Sequence, residues 1–432
     1  MAVSCGMCFT NIVTGTGAVW TSGTVVMPEV ADGSLLPVLP VRVGGRETFE
    51  DEDVVMTAAG EEHIACVTAQ GTVWTWGIAG NGRLGNPDLL SQQRPSKVDR
   101  KRFGGASAVM VACGREFTLV LTVLGSVWVC GGENDWWPIP KLVRGHDAQF
   151  GLARIVMVAA GCTHSVALGA CGRVWTWGGN GLGQLGHNSR AQCVVPTLLA
   201  AFAADLVAHI SAAGHHTMAV TTAGELWSWG WGDDGQLGLG DFGQERLVPT
   251  RVGGKGGFLS EPVRMACCGD TFSMAVTTTG LLWSWGDNDS GQLGHSNRTS
   301  CSVPTLVQPH LFGHAQVVKV SCGTHHTAAV TEEGVLYTWG GHRFGSHRIK
   351  GLGHAHNASA LAPTIVEPCL LEEERVGCHH GIPPLHALAF AMGTHPRLGS
   401  GTGLAHTCVY NVTPHELVQR IVWSTKAFPR GR

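Results

Sequence analysis

The stretch 224–238, GELWSWGWGDDGQLG, packs three tryptophans and five glycines into fifteen residues. Whether it marks a specialised site or an architectural unit depends on whether it recurs. It does. The boxes read GAVWTSG at 17–23, GTVWTWG at 71–77, GSVWVCG at 125–131, GRVWTWG at 172–178, GELWSWG at 224–230, GLLWSWG at 280–286 and GVLYTWG at 334–340. The first aromatics are Trp20, Trp74, Trp128, Trp175, Trp227, Trp283 and Tyr337, spaced by 54, 54, 47, 52, 56 and 54 residues. A fixed period of this length is the mark of a repeat architecture.

Each unit repeats one internal order. An apolar run ends in a small residue and Gly, as in VVKVSCG (317–323). A β-prone run follows, opened by His or Phe three residues after the Gly. The tryptophan box comes next and alternates apolar with polar, the period of a strand. A Gly-rich turn ends in Leu-Gly: GNGRLG (80–85), GLGQLG (181–186), DDGQLG (233–238), DSGQLG (289–294). Finally come VPTLL (195–199), VPTRV (248–252), VPTLV (303–307) and APTIV (362–366), read as strands led by proline at their first residue. About four strands per unit and seven units predict an all-β, seven-bladed β-propeller of four-stranded blades. The period exceeds that of WD40 units, and the glycine and aromatic order differs from kelch.

The order G-x-x-H/F-T…G-x-x-W-x-W-G…G-Q-L-G resembles the regulator-of-chromosome-condensation repeat family over roughly residues 2–370. The resemblance implies a seven-bladed propeller. It predicts one propeller over 1–412, with units starting near 2, 55, 108, 155, 208, 263 and 317, and an irregular closing segment 367–412. Within that segment, HALAFAMG (386–393) and AHTCVYNV (405–412) look like two strands of an eighth unit, so the pairing that closes the ring stays open. Residues 413–432 read as a short C-terminal helix and basic tail: Thr413 is placed to cap, with Pro414 at N1 and Glu416 at N3. The helix is similar to the start of an F-box and either docks on the propeller or binds a partner.

Composition bounds the rest. The 432 residues are 44% hydrophobic and 14% charged, with 61 glycines and a net charge of −3, which argues against bulk capture of nucleic acid or chromatin. The start, MAVSCGMCFT, has no charged leader before an apolar core, and no apolar run reaches about 18 residues. Fifteen cysteines then suggest an intracellular, reducing location, nuclear or cytoplasmic, with free thiols.

Residues that could carry chemistry resolve mostly into structure. His63, His164, His216 and His326 share one repeat slot with Phe9, Phe117 and Phe272. A slot that accepts phenyl is a packing position, not a base or ligand. Trp74, Trp76, Trp175, Trp177, Trp227, Trp229, Trp283, Trp285 and Trp339 are likewise repeat positions. Cys5, in CGMC (5–8), shares its slot with Cys113, Cys268, Cys322, Ala59 and Ala160, which reads as a small buried residue. GGNGLGQLG (178–186) contains G-x-G-x-x-G, but a strand, not a helix, follows it. No catalytic residue, metal site or cofactor is expected.

Outside the repeat stand Asp135, Trp136 and Trp137 in the third unit, and Trp231, Asp233 and Asp234 in the fifth. They read either as exposed anchors for a protein partner or as local filling. The basic insertion 340–357 and the acidic ETFEDED (47–53) are further contact candidates, the latter equally readable as a solvated turn. The plant UV-B photoreceptor branch carries tryptophan just after the unit Gly. Here Glu61, Arg115, Cys162, Asp270 and Thr324 stand there, which excludes that subtype. The expected function is a non-catalytic protein-binding scaffold. The resemblance also implies, as alternatives, guanine-nucleotide exchange on a small GTPase, for which no long hairpin wedge is visible between the early units, and an adaptor role toward a ubiquitin-ligase component.

Overall fold

The structure, a computed structural model, describes residues 1–7, 9–23, 40–87, 91–132, 138–143, 153–202, 205–253, 257–341, 343–344, 347–348, 352–354 and 360–367. Asp135, Trp136 and Trp137, most of the insertion 340–357, nearly all of the closing segment and the expected C-terminal helix lie outside these residues.

Seven four-stranded antiparallel sheets form the ring. In blade 5, Val207–Ala213 pairs with His216–Thr221, that strand with Leu226–Gly230, and the last with Arg246–Arg251. The other blades repeat this order, their first strands being Ala2–Cys5, Val54–Ala59, Ala108–Cys113, Ile155–Ala160, Val263–Cys268 and Val317–Cys322. First strands neighbour one another around the whole circle, from blade 7 back to blade 1, and so line the axis.

The core is not one interior but seven, one between each pair of neighbouring blades. Between blades 5 and 6, for example, Met218, Val220 and Leu226 pack with Val263, Ala266, Ala275 and Trp285. Second strands such as His216–Thr221 are buried at every residue, because both of their faces meet a neighbouring blade. The largest fully buried side chains include Trp76, Trp175, Trp229, Trp285 and Trp339. The first aromatic of the box is met from below by a connector phenylalanine, edge to face: Phe49 on Trp74, Phe103 on Trp128, Phe202 on Trp227, Phe258 on Trp283 and Phe312 on Tyr337, with centroids 5.1–6.2 Å apart.

Blade 7 meets blade 1 as any blade meets the next. Among the described residues no sheet takes strands from distant parts of the chain. Ile12, Trp20, Ala328, Val330 and Leu336 share the seventh core, and the Cys5 amide donates to Ser321 Oγ at 3.0 Å.

One expectation needs correction. The fourth strands are not led by proline. They begin earlier, at Cys193, Arg246, Cys301 and Ala360, so Pro196, Pro249, Pro304 and Pro363 sit inside them. This is tolerated because the fourth strand is the outer edge of its sheet, and its register shifts there against the third strand. A residue without an N–H costs no ladder bond at a shifted edge.

Candidate functional site

The turns between first and second strands open on the same face as the turns that follow the tryptophan boxes. A repeated backbone bond ties the two sets together: Ile78 to Glu62, Gly132 to Glu116, Gly179 to Thr163, Trp231 to His215, Asp287 to Thr271 and Gly341 to His325, each N–H donating to the carbonyl. The third strands of blades 3 and 7 also end on this face. ETFEDED lies at the opposite end, in the connector between blades 1 and 2. There Phe49 is buried against Trp74, and Lys97 pairs with Glu50 and Arg46 with Asp53.

The scaffold of the turn face consumes the repeating side chains. His164 Nε2 lies 2.9 Å from Thr217 Oγ1 in the next blade, His63 2.8 Å from Thr118, His216 2.8 Å from Ser273 and His326 3.0 Å from Thr10. Three of those hydroxyls donate onward to a turn carbonyl: Thr217 to Gln184, Ser273 to Gln236 and Thr118 to Arg83. The Gln184, Gln236 and Gln292 carbonyls also accept the indole N–H of Trp229, Trp285 and Trp339 from the following blade, at 2.8–2.9 Å. The Gln-Leu-Gly turn is thus a receptor for its neighbour's box. Glycine is demanded beside it. A Cβ on Gly6 would fall 2.7 Å from the Gly60 carbonyl oxygen, on Gly60 2.6 Å from that of Gly114, and on Gly323 2.5 Å from that of Gly6.

What this scaffold displays does not repeat. The residue three places before the second strand's second position is, blade by blade, Met7, Glu61, Arg115, Cys162, Gly214, Asp270 and Thr324. One ring position therefore holds seven different residue types. In blades 2 and 3 the charges are mutually paired: Arg115 Nε stands 2.7 Å from Glu61, and buried Arg83 3.4 Å from Glu62 and 3.9 Å from Glu116. Blades 5 and 6 are different. Asp233 and Asp289 are exposed and Asp234 is half-buried. Burial, with Asp287, Asp233, Asp270 and Asp289 nearby, holds the Asp234 carboxyl above its usual range. Burial does the same to Asp270, against the pull of His215 and Arg115. Trp231 is half-buried beside this acidic arc, its ring edge-on to His215 at 6.3 Å.

The structure thus gathers Trp231, Asp233 and Asp234 with residues the sequence did not single out for this role: Asp287, Asp289 and His215. Asp270 was visible at its ring position, but its nearness to Asp234 needs the blade register. Among the described residues no group of three or more His, Cys, Asp or Glu is arranged to hold a metal ion, and no helix is long and apolar enough to cross a membrane.

The model of the Regulator of chromosome condensation (RCC1) repeat matches residues 70–121, 171–220, 223–276 and 279–330, and a second model of that repeat matches 207–236 and 317–346. Ultraviolet-B receptor UVR8 of Arabidopsis thaliana is 31% identical over 369 residues, 82% of this chain and 80% of that protein. E3 ubiquitin-protein ligase HERC2 of Mus musculus is 31% identical over 372 residues, which span 82% of this chain but 6% of that protein. The crystal structure of human WBSCR16 superposes with a TM-score of 0.68 at 26% identity, covering 83% of this chain and 93% of that one.

Proposed function

This chain belongs to the regulator of chromosome condensation (RCC1) repeat family, and from that premise we propose that its propeller is a non-catalytic protein-binding scaffold whose partner docks on the turn face. The observation that carries the reading is the split between the two kinds of residue on that face. Repeating side chains are spent on holding blades together, while a single ring position varies seven ways on a rigid frame. Rigid frames with variable loops suit recognition. The acidic arc of blades 5 and 6, with Trp231 at its margin, is the part most suited to a partner surface rich in Lys and Arg. Trp136 and Trp137 belong to the same proposal as anchors, since in sequence they follow the third strand of blade 3, Val127–Gly131. Eleven cysteines of the described residues are free thiols, which supports an intracellular setting.

The test is affinity capture on the full chain, followed by the doubly reversed variant Asp233→Lys with Asp289→Lys. Both positions are exposed, so melting should not change, while the captured partner should be lost or weakened at least tenfold. Equal capture by the variant refutes docking on this arc. Two partner classes implied by the family are separable by assay. Nucleotide release from a small GTPase at catalytic concentrations of this chain would replace the scaffold reading with exchange. Ligase co-purification that disappears on deletion of 413–432 would make the chain an adaptor.

A further inference from the structure

The first strands supply a second repeated contact, at four of the blade junctions, close to the axis. The fifth residue of one first strand lies against the sixth residue of the next. At two of these junctions the fifth residue is a serine whose hydroxyl accepts the neighbour's amide: Ser211 Oγ from Cys268 N and Ser321 Oγ from Cys5 N, both at 3.0 Å. At three of them the sixth residue is a cysteine whose thiol donates back to the preceding carbonyl: Cys5 to Ser321 O at 3.5 Å, Cys113 to Ala58 O at 3.6 Å and Cys322 to Cys267 O at 3.7 Å. The pairs that meet are thus Ala58 with Cys113, Ser211 with Cys268, Ser321 with Cys5 and Cys267 with Cys322. Among these junctions only that of blades 6 and 7 brings thiol to thiol.

We propose that Cys267 and Cys322 form a redox-active dithiol that closes, on reaction with a peroxide, to a disulfide stapling blade 6 to blade 7. The repeat geometry places the two sulfurs as the serine and cysteine side chains are placed at the neighbouring junctions, with the Cys322 thiol 3.7 Å from the Cys267 carbonyl oxygen. Cys267 is half-buried on the strand that lines the axis, whereas Cys322 is buried, so Cys267 is the thiol a small oxidant reaches first. Contact with the Cys322 thiol and amide holds the Cys267 thiol below the usual range, while burial raises that of Cys322. In the first step the Cys267 thiolate attacks one peroxide oxygen. The O–O bond breaks, a sulfenic acid forms, and the other oxygen leaves as water with the proton Cys267 gave up. In the second step the Cys322 sulfur displaces the sulfenic hydroxyl. The S–S bond forms, and the hydroxyl leaves as water with the Cys322 proton. Two thiols lose two electrons and two protons, and one peroxide becomes two waters.

The test uses the full chain and hydrogen peroxide. After oxidation, alkylation and digestion without reductant, a disulfide should join the peptide carrying Cys267 to that carrying Cys322, and dithiothreitol should release it. Cys267→Ser and Cys322→Ala should abolish it. Both fold safely, because Ser211, Ser321, Ala59 and Ala160 occupy the equivalent places in other blades. Cys268→Ala should leave it intact, since Cys268 points to the opposite face of its strand. If both thiols are alkylated as free thiols after peroxide, or if Cys267 ends as a sulfinic acid with Cys322 free, the proposal fails. A crosslink that persists in Cys267→Ser also overturns it.

Discussion

His164 gives its Nε2 proton to Thr217 in the next blade. The direction is fixed because the Thr217 hydroxyl has one hydrogen and spends it on the Gln184 carbonyl, 2.9 Å away. The ring nitrogen must then be the donor, which selects the neutral Nε2–H tautomer. Nδ1 faces the Gly161 backbone with no hydrogen-bond partner, and the same holds for Nδ1 of His63 and His216. A second proton would be buried without an acceptor.

Acid stability follows from this. Burial above all pushes His63, His164 and His216 down to about 3 and His326 to about 4. Unfolded histidine titrates near ~6.5. As pH falls below that value the unfolded chain takes up protons that the folded chain refuses, so stability declines. The loss continues until the folded sites themselves titrate, near pH 3 to 4, at up to about 1.4 kcal/mol per pH unit per site. Urea melts of His164→Phe between pH 7 and pH 4 should show a shallower decline than the parent. Phe272 already stands beside a hydroxyl, and that hydroxyl, Thr327, still donates to Gln292 O at 3.0 Å, so the cost at pH 7 should be about 1 kcal/mol. An unchanged slope would show that this junction does not govern acid sensitivity.

The two aromatics of one box should differ in tolerance. Trp285 is fully buried and its Nε1 donates to Gln236 O at 2.8 Å, whereas Trp283 Nε1 makes no hydrogen bond. Blade 7 carries Tyr337 in the place of Trp283. Trp283→Tyr should cost under about 1.5 kcal/mol, and Trp285→Tyr about 3 kcal/mol or more, through the lost bond and the altered volume. Thermal melts rank the pair, and equal costs would mean that the inter-blade indole bond contributes little.

Glycine substitution should separate the mouth of the ring from its rim. An alanine methyl at Gly60 meets His63 Cε1 at 2.5 Å and the Gly114 carbonyl oxygen at 2.6 Å, both in packed surroundings, whereas at Gly15 it meets nothing within 4 Å. Gly60→Ala should destabilise by about 2–4 kcal/mol and Gly15→Ala by less than about 0.5 kcal/mol. Differential scanning calorimetry would show both, and a neutral Gly60→Ala would mean that the blades can part at the mouth.

The seven-bladed ring was legible in the sequence because each blade repeats the aromatic box in register, as Trp177, Trp229 and Trp285 do at its second aromatic position. The middle of the fourth strand was not. Pro249 looks like a strand start when read alone, and only the edge position and shifted register of Arg246–Arg251 make it an interior residue. The variety at Glu61, Arg115, Cys162, Asp270 and Thr324 could be read from the unit glycine. The neighbours of Asp234 could not, since Asp270 and Asp287 belong to the next blade and sequence spacing carries no inter-blade register. Cys267 and Cys322, 55 residues apart, were hidden for the same reason.

Near-identical spokes would let a visitor land in any of seven rotations. The unlike side chains at the mouth remove that degeneracy: Arg115 stands on one side and Asp270 on another, so a matching surface finds a single angular setting. Because each hangs from a turn whose backbone is held by glycine and by the adjoining spoke, one such group can be exchanged without disturbing the wheel that carries it.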